Sequence, residues 1–116
     1  MKYFKKIFLI LVLALSLIPV SAHDLKGAVA SDDRTPKNML RDQFRNPVET
    51  LSFFGIESDM TVVELSPGGG LYTEILANYI HYPGTLIAAH WSKDSEVAYF
   101  RRGRANFEKK MSEDPM

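Results

Sequence analysis

Apolar residues and turn signals follow one another along the middle of the chain in the order strand, helix, strand. Residues 60–65 and 85–89 are short apolar runs rich in β-branched side chains. Such runs are typical of strands that are covered on both faces, as in a parallel sheet. Between them, residues 71–80 place apolar side chains along one side at helical spacing. The pattern predicts a right-handed βαβ unit.

Helices are predicted on both sides of this unit. Thr35-Pro36 provides an N-cap followed by proline at the first helical position, which predicts a helix through about residue 44. Asn46-Pro47 repeats this arrangement, with Glu49 spaced for a capping box and Gly55 as the C-cap. Residues 95–111 carry their apolar side chains on one face, so we expect an amphipathic helix after the second strand.

This order of elements predicts an α/β fold that begins a doubly wound parallel sheet. Such a sheet contains more than two strands, so we expect the fold to be truncated after the second strand and the following helix. Residues 23–34 are polar and small, which predicts a linker or an extended arm. Residues 35–116 would then form the N-terminal portion of the domain.

The first 22 residues have the features of a signal peptide. Lys2, Lys5 and Lys6 precede an apolar run over residues 7–20, and small residues at 20–22 suit signal peptidase cleavage after Ala22. The run is shorter than the roughly 20 residues that cross a bilayer as a helix. The sequence therefore predicts a periplasmic or secreted protein that meets the membrane only through this segment. An uncleaved anchor is the alternative.

Removal of that segment changes the charge of the chain. It takes away three of the 14 basic residues and leaves 11 against 14 acidic residues, a net charge of −3. This balance argues against general nucleic-acid binding. The chain has no cysteine, so an oxidising compartment would add no disulfide.

A glycine loop at residues 66–70 joins the first strand to the next helix. Glycines let a ligand approach the backbone closely, and free amides at a helix start offer donors and partial positive charge. Glu64 would put a carboxylate beside this loop. A carboxylate there suits a ligand with hydroxyls, an amine or a sulfonium charge and would repel a diphosphate. The loop therefore favours an adenosyl cofactor over a dinucleotide.

Other glycine-loop interpretations agree less well with the sequence. A P-loop requires Lys followed by Ser or Thr, and Leu71-Tyr72 stands there instead. The dinucleotide fingerprint requires a glycine at the position of Thr73 and an acid near that of His90. A tight turn that binds no ligand is the remaining alternative.

Residues 64–70 (Glu-Leu-Ser-Pro-Gly-Gly-Gly) resemble the first motif of class I S-adenosylmethionine-dependent methyltransferases. More narrowly, residues 34–36, 46–55 and 63–76 are similar to a bacterial family of exported predicted methyltransferases. The likeness covers roughly residues 28–116, less than half of such a domain. It implies a Rossmann-like sheet of seven strands, S-adenosylmethionine as cofactor and a methyl acceptor that is generally unassigned.

The resemblance also implies which residues hold the cofactor. Ser66 replaces the first glycine of the general motif, and His90 stands where many of these enzymes place an acid on the ribose hydroxyls. Residues that bind the acceptor would lie in later strands, so we expect no turnover from these 116 residues alone. A catalytically inactive envelope protein that binds a small metabolite or a partner is the alternative function. The predicted cofactor-binding residues are Glu64, Ser66, Pro67, Gly68, Gly69, Gly70 and His90.

Other chemistry has little support in the sequence. His23, His81 and His90 are too scattered to predict a metal site. Arginines at 101, 102 and 104 are interpreted as a solvated helix face. No set of Ser, His and Asp or of Cys and His suggests nucleophilic catalysis.

Overall fold

The computed structural model describes residues 24–113, so the predicted signal peptide and its cleavage site lie outside the described part of the chain. The described chain is a small α/β structure with two parallel strands and flanking helices. Its elements are α1 (Leu25–Val29), α2 (Pro36–Met39), α3 (Asp42–Arg45), α4 (Pro47–Phe53), β1 (Thr61–Leu65), α5 (Leu71–Tyr79), β2 (Thr85–Ala89) and α6 (Ala98–Glu113). No helix between residues 24 and 113 is long and apolar enough to cross a bilayer.

The predicted βαβ unit is present. Strands β1 and β2 pair in parallel, with Thr61 opposite Thr85 and Leu65 opposite Ala89, and α5 connects them. Parallel pairing places the carboxyl ends of both strands at the same edge of the sheet. The loop after β1 and the segment after β2 therefore lie next to each other, although they are far apart in sequence.

The core lies on one face of this sheet. Helix α5 buries one side against α1, α4 and the inward side chains of the two strands; the buried cluster is Ala28, Leu51, Leu71, Ile75, Leu76 and Tyr79, with Val62 and Leu86 packed against it. On the opposite face Val63 and Ile87 are about half exposed, 53% and 47%. The prediction of coverage on both faces was wrong for the described residues, because the helices that form this core pack against one face.

Residues 25–29 were expected to form part of a linker or extended arm, and that expectation was wrong. They form α1, whose first turn is capped by the side chain of Asp24, which accepts from the backbone N–H of Gly27. Ala28 is buried in the core against α5. The segment is too short to signal a helix by itself, and tertiary packing orders it.

The helix predicted from Pro36 to about residue 44 is two short helices, α2 and α3, separated by a turn. The capping box predicted for Glu49 is also absent. Asn46 adopts a left-handed conformation with φ of 44°, and its N–H donates to the carbonyl of Asp42 at 2.8 Å. That donor already closes α3 and is not left for Glu49.

The predicted helix end at Gly55 is confirmed. Gly55 has a φ of 64°, and its N–H donates to Ser52 while the N–H of Ile56 donates to Leu51. These two bonds form a Schellman motif, in which glycine takes the left-handed position without a Cβ penalty. The last predicted helix is also present, beginning at Ala98 and continuing to Glu113.

Candidate ligand site at the glycine loop

The glycine loop leaves β1 as an irregular turn and is not absorbed into the following helix. Ser66 still belongs to the sheet edge, since its N–H donates to the carbonyl of Ala89 at 2.9 Å. Its φ of 55° is in the region that favours glycine, which fits its place at the first glycine position of the resembled motif. Gly70, with φ of 81°, donates to the carbonyl of Pro67 and precedes the first residue of α5.

The middle of the loop presents free backbone groups. The N–H groups of Gly68 and Gly69 donate to no other residue between 24 and 113. A Cβ built on Gly69 would meet nothing within 4 Å. A ligand can therefore approach this backbone closely and accept hydrogen bonds from it.

A cavity of about 430 Å³ lies beside these two glycines. It opens at the carboxyl ends of the parallel strands, where ligands bind in open α/β sheets. Its volume falls in the range of small-molecule sites, roughly 300–1,000 Å³. Three of the predicted cofactor-binding residues come together here; the full lining is Gly68, Gly69, His90, Trp91, Tyr99, Arg102, Gly103 and Asn106.

His90 lines this cavity without the free acceptor that the predicted ribose contact requires. Its Nδ1 accepts a hydrogen bond from the N–H of Trp91 at 2.8 Å. The neutral ring then carries its proton on Nε2. Nε2 is buried and has no hydrogen-bond partner in the described chain, and the ring packs 5.2 Å from that of Phe107. His90 therefore offers the cavity no free acceptor, whereas a ribose-binding carboxylate would be one.

Glu64 lies away from this cavity. Its Oε2 accepts from the Thr73 hydroxyl at 2.6 Å, which ties the end of β1 to the first turn of α5. Burial raises the pKa of Glu64 above its ordinary value, and the bond from Thr73 lowers it in part. Glu64 instead borders a smaller apolar cavity of about 180 Å³, together with residues such as Phe54 and Tyr72.

The other predicted site residues shape the loop and do not line the 430 Å³ cavity. Pro67 and Gly70 are buried, and Ser66 is exposed at the sheet edge. A Cβ on Gly70 would lie 3.5 Å from the ring of Phe107, so α6 packs closely over this end of the loop.

Sequence reasoning missed the contribution of α6 to the cavity. Tyr99, Arg102, Gly103 and Asn106 recur at helical spacing on one side of that helix and face the loop. Arg102 is exposed, which agrees with its interpretation as part of a solvated helix face, and it also borders the cavity. The stripe could have been noticed, but nothing local indicates what it faces. Trp91, which stacks on Phe100 at 4.2 Å, completes this wall.

A buried polar network fixes the loop from behind. The carboxylate of Glu74, 1% exposed, accepts from the hydroxyl of Thr35, from the amide of Asn38 at 2.9 Å and from the ammonium of Lys110. Asn38 and Lys110 also donate to the carbonyl of Gly69, at 3.4 and 3.2 Å. With its carbonyl held on this side, the Gly69 peptide is oriented by residues from α2, α5 and α6.

Comparisons with protein-family models, with curated proteins and with solved structures find no match to this chain. Function is therefore inferred from the residues of the site.

Proposed function

We propose that this chain is the S-adenosylmethionine-binding part of an exported methyltransferase with a Rossmann-like class I fold. One observation carries the proposal. Gly68, Gly69 and His90, which the sequence predicts to bind the cofactor, line one cavity at the carboxyl ends of β1 and β2. The two parallel strands joined by α5 are compatible with the opening of that fold.

The cavity lining suits an adenosyl ligand. Trp91 and Tyr99 offer aromatic faces on which a base can stack. The free N–H groups of Gly68 and Gly69 and the guanidinium of Arg102 can bind a carboxylate such as that of the aminoacyl group. The bound cofactor would supply a reactive sulfonium methyl group, so the chain has mainly to hold and orient it and to exclude water.

Glu64 has an indirect role in this proposal. It does not line the cavity, and it is bonded to Thr73 at the start of α5. We therefore assign it to positioning the first turn of α5, next to the glycine loop, and not to contact with the cofactor.

Calorimetry of the chain that remains after the predicted cleavage, residues 23–116, with S-adenosylmethionine and S-adenosylhomocysteine tests the proposal. This chain is called the mature chain below. A Cβ at Gly69 would meet no protein atom within 4 Å, so Gly69→Val should leave the chain folded. The added side chain should keep the ligand from the loop backbone and weaken binding by about tenfold or more, or about 1.4 kcal/mol. Tyr99→Ala removes a stacking face and should weaken binding similarly. Phe44→Ala, which truncates an aromatic side chain that is likewise largely exposed but does not line the cavity, is the matched control and should leave binding unchanged.

Two results would contradict the proposal. One is a wild-type chain that binds neither compound. The other is binding that survives both Gly69→Val and Tyr99→Ala, because the cofactor would then lie elsewhere.

The export part of the proposal has its own test. Full-length chain produced in a bacterium with an envelope should be recovered outside the cytoplasm with His23 as its first residue, by N-terminal sequencing. Recovery from the membrane fraction of a chain that still begins at Met1 would support the uncleaved anchor. Recovery of the chain from the cytoplasm would contradict export.

The second candidate function is a catalytically inactive envelope protein that binds a small metabolite. It is favoured by His90, whose Nδ1 is occupied by the N–H of Trp91, so that no free acceptor stands where a ribose-binding acceptor was expected. Arg102 also suits a phosphate as well as a carboxylate. Binding of adenosine monophosphate without binding of either sulfur compound would support this alternative.

A further inference from the structure

A second cavity, of about 530 Å³, lies on the other side of Gly69. It opens between the segment around α2 and the last turns of α6. Gly69 and Asn106 border both this cavity and the one assigned to the cofactor, so the two adjoin. Its lining is Thr35, Lys37, Asn38, Arg41, Gly69, Asn106, Lys109, Lys110 and Glu113.

The charge of this lining is strongly positive for a chain whose formal net charge is zero. Four of its residues are basic, and Glu113 is its one acid. Lys109 pairs with Glu113 at 3.7 Å, and Lys110 pairs with the buried Glu74 beneath the cavity. The two remaining cations are therefore not neutralised locally.

These two cations are Lys37 and Arg41. Their side chains make no hydrogen bond or ion pair with any residue in the described part of the chain. They are four residues apart, and Leu40 and Arg41 keep helical dihedrals, so both side chains lie on the same side of the segment. A pair of cations at a concave surface attracts anions more strongly than isolated cations on a convex surface.

The polar residues that line the cavity beside Lys37 and Arg41 are held in place by hydrogen bonds within the protein. Asn38 is 6% exposed and is bonded to Glu74 and to the carbonyl of Gly69. Thr35 and Lys110 are bonded to the same carboxylate. The cavity therefore has a fixed polar floor and two free cations at its side, which is an arrangement that binds with little reorganisation.

We propose that this cavity binds a small organic anion, bearing a carboxylate or phosphate, through Lys37 and Arg41. The anion site rests on the cations and the cavity. The concave shape and the acid in its lining, Glu113, favour a small molecule over an extended polyanion.

Citrate and inorganic phosphate serve as probes, titrated separately into the mature chain in the absence of cofactor. We expect the chain to bind at least one, and Lys37→Ala with Arg41→Ala to weaken that binding by about tenfold or more. Binding of citrate alone identifies a carboxylate ligand and binding of phosphate alone a phosphate ligand. The control is Lys26→Ala with Arg45→Ala, which removes the same charge from exposed positions outside the cavity.

The inference is overturned if neither probe binds, or if the control pair weakens binding as much as the cavity pair. Urea unfolding should give the same midpoint for both pairs, because all four residues are exposed. S-adenosylhomocysteine is titrated in parallel. A wild-type chain that binds S-adenosylhomocysteine but neither anion contradicts this inference alone, and a wild-type chain that binds an anion but not S-adenosylhomocysteine contradicts the proposed function alone.

Discussion

The ammonium of Lys110, near the end of the last helix, donates to the buried carboxylate of Glu74, 36 residues earlier in the chain. The same ammonium donates to the carbonyl of Gly69 at 3.2 Å. The guanidinium Nε of Arg34, also buried, lies 3.9 Å from the other carboxylate oxygen of Glu74. One carboxylate thus joins the segment before α2, the glycine loop and α6.

Glu74→Gln should be strongly destabilising. It would leave Lys110, whose side chain is 22% exposed, without its counter-charge, while the buried Arg34 keeps its pair with Asp42 at 2.6 Å. Loss of the carboxylate that these buried and partly buried donors share should cost about 1–3 kcal/mol in free energy of unfolding. Urea unfolding of the chain measures it. Glu113→Gln, which breaks an exposed pair with Lys109, is the control and should cost less than about 1 kcal/mol. Equal costs for the two variants would contradict the assigned role of Glu74.

Gly70→Ala and Gly69→Ala should differ in their effect on stability. Gly70 has φ of 81°, so alanine there costs roughly 1–2 kcal/mol from its own backbone conformation. Its Cβ would make only ordinary contacts, the nearest at 3.5 Å from Phe107. Gly69 has no positive φ and open space at its Cβ, so its alanine variant should stay within about 0.5 kcal/mol of wild type. Thermal or urea unfolding of the two variants tests this order, and a reversed order would contradict the loop conformation.

Glu64→Gln should change how stability depends on pH. Because burial raises the pKa of Glu64 above 4.5, the folded chain holds this proton more tightly than the unfolded chain. The contribution of Glu64 to the stability of the wild type therefore falls as the pH rises from 4.5 through the folded pKa, and the Gln variant lacks this loss. The amide oxygen of Gln can still accept from Thr73.

The measurement is urea unfolding of both proteins at a series of pH values between about 4 and about 7. The free energy of unfolding of the variant, minus that of the wild type, should increase with pH and then level off. A difference that decreases over this interval would mean that Glu64 is stabilised in its charged form, and would contradict the burial seen here.

Several features of the fold were predicted correctly from the sequence because they depend on neighbouring residues. The strand, helix, strand order follows from short apolar runs and helical spacing, and the C-cap at Gly55 follows from the conformational freedom of glycine. The same kind of signal failed at Asn46-Pro47, where the N–H of Asn46 was already used by the preceding turn around Asp42. A capping motif considers only the residues that follow the cap, so it does not show that the preceding turn already uses the N–H of the cap residue.

The candidate site was predicted in part for a related reason. Gly68, Gly69 and His90 follow the ends of two adjacent strands, so the βαβ pattern alone brings them together. The direction of the Glu64 side chain was not predictable. It depends on which face of β1 packs against α5 and on the Thr73 hydroxyl that meets it.

By itself the sequence determined the local elements, the irregular glycine loop and its place at the end of a parallel strand, since steric limits and hydrogen bonds within a few residues decide these. Tertiary structure decided the rest. The helix at residues 25–29 is ordered by burial of Ala28. The hydrogen bonds of Glu74 join residues that are separated by 36 or 39 positions in the sequence. Helix α6 supplies one wall of the cavity. Such long-range contacts are energetically decisive, but they leave no periodic signal in the sequence from which they could be read.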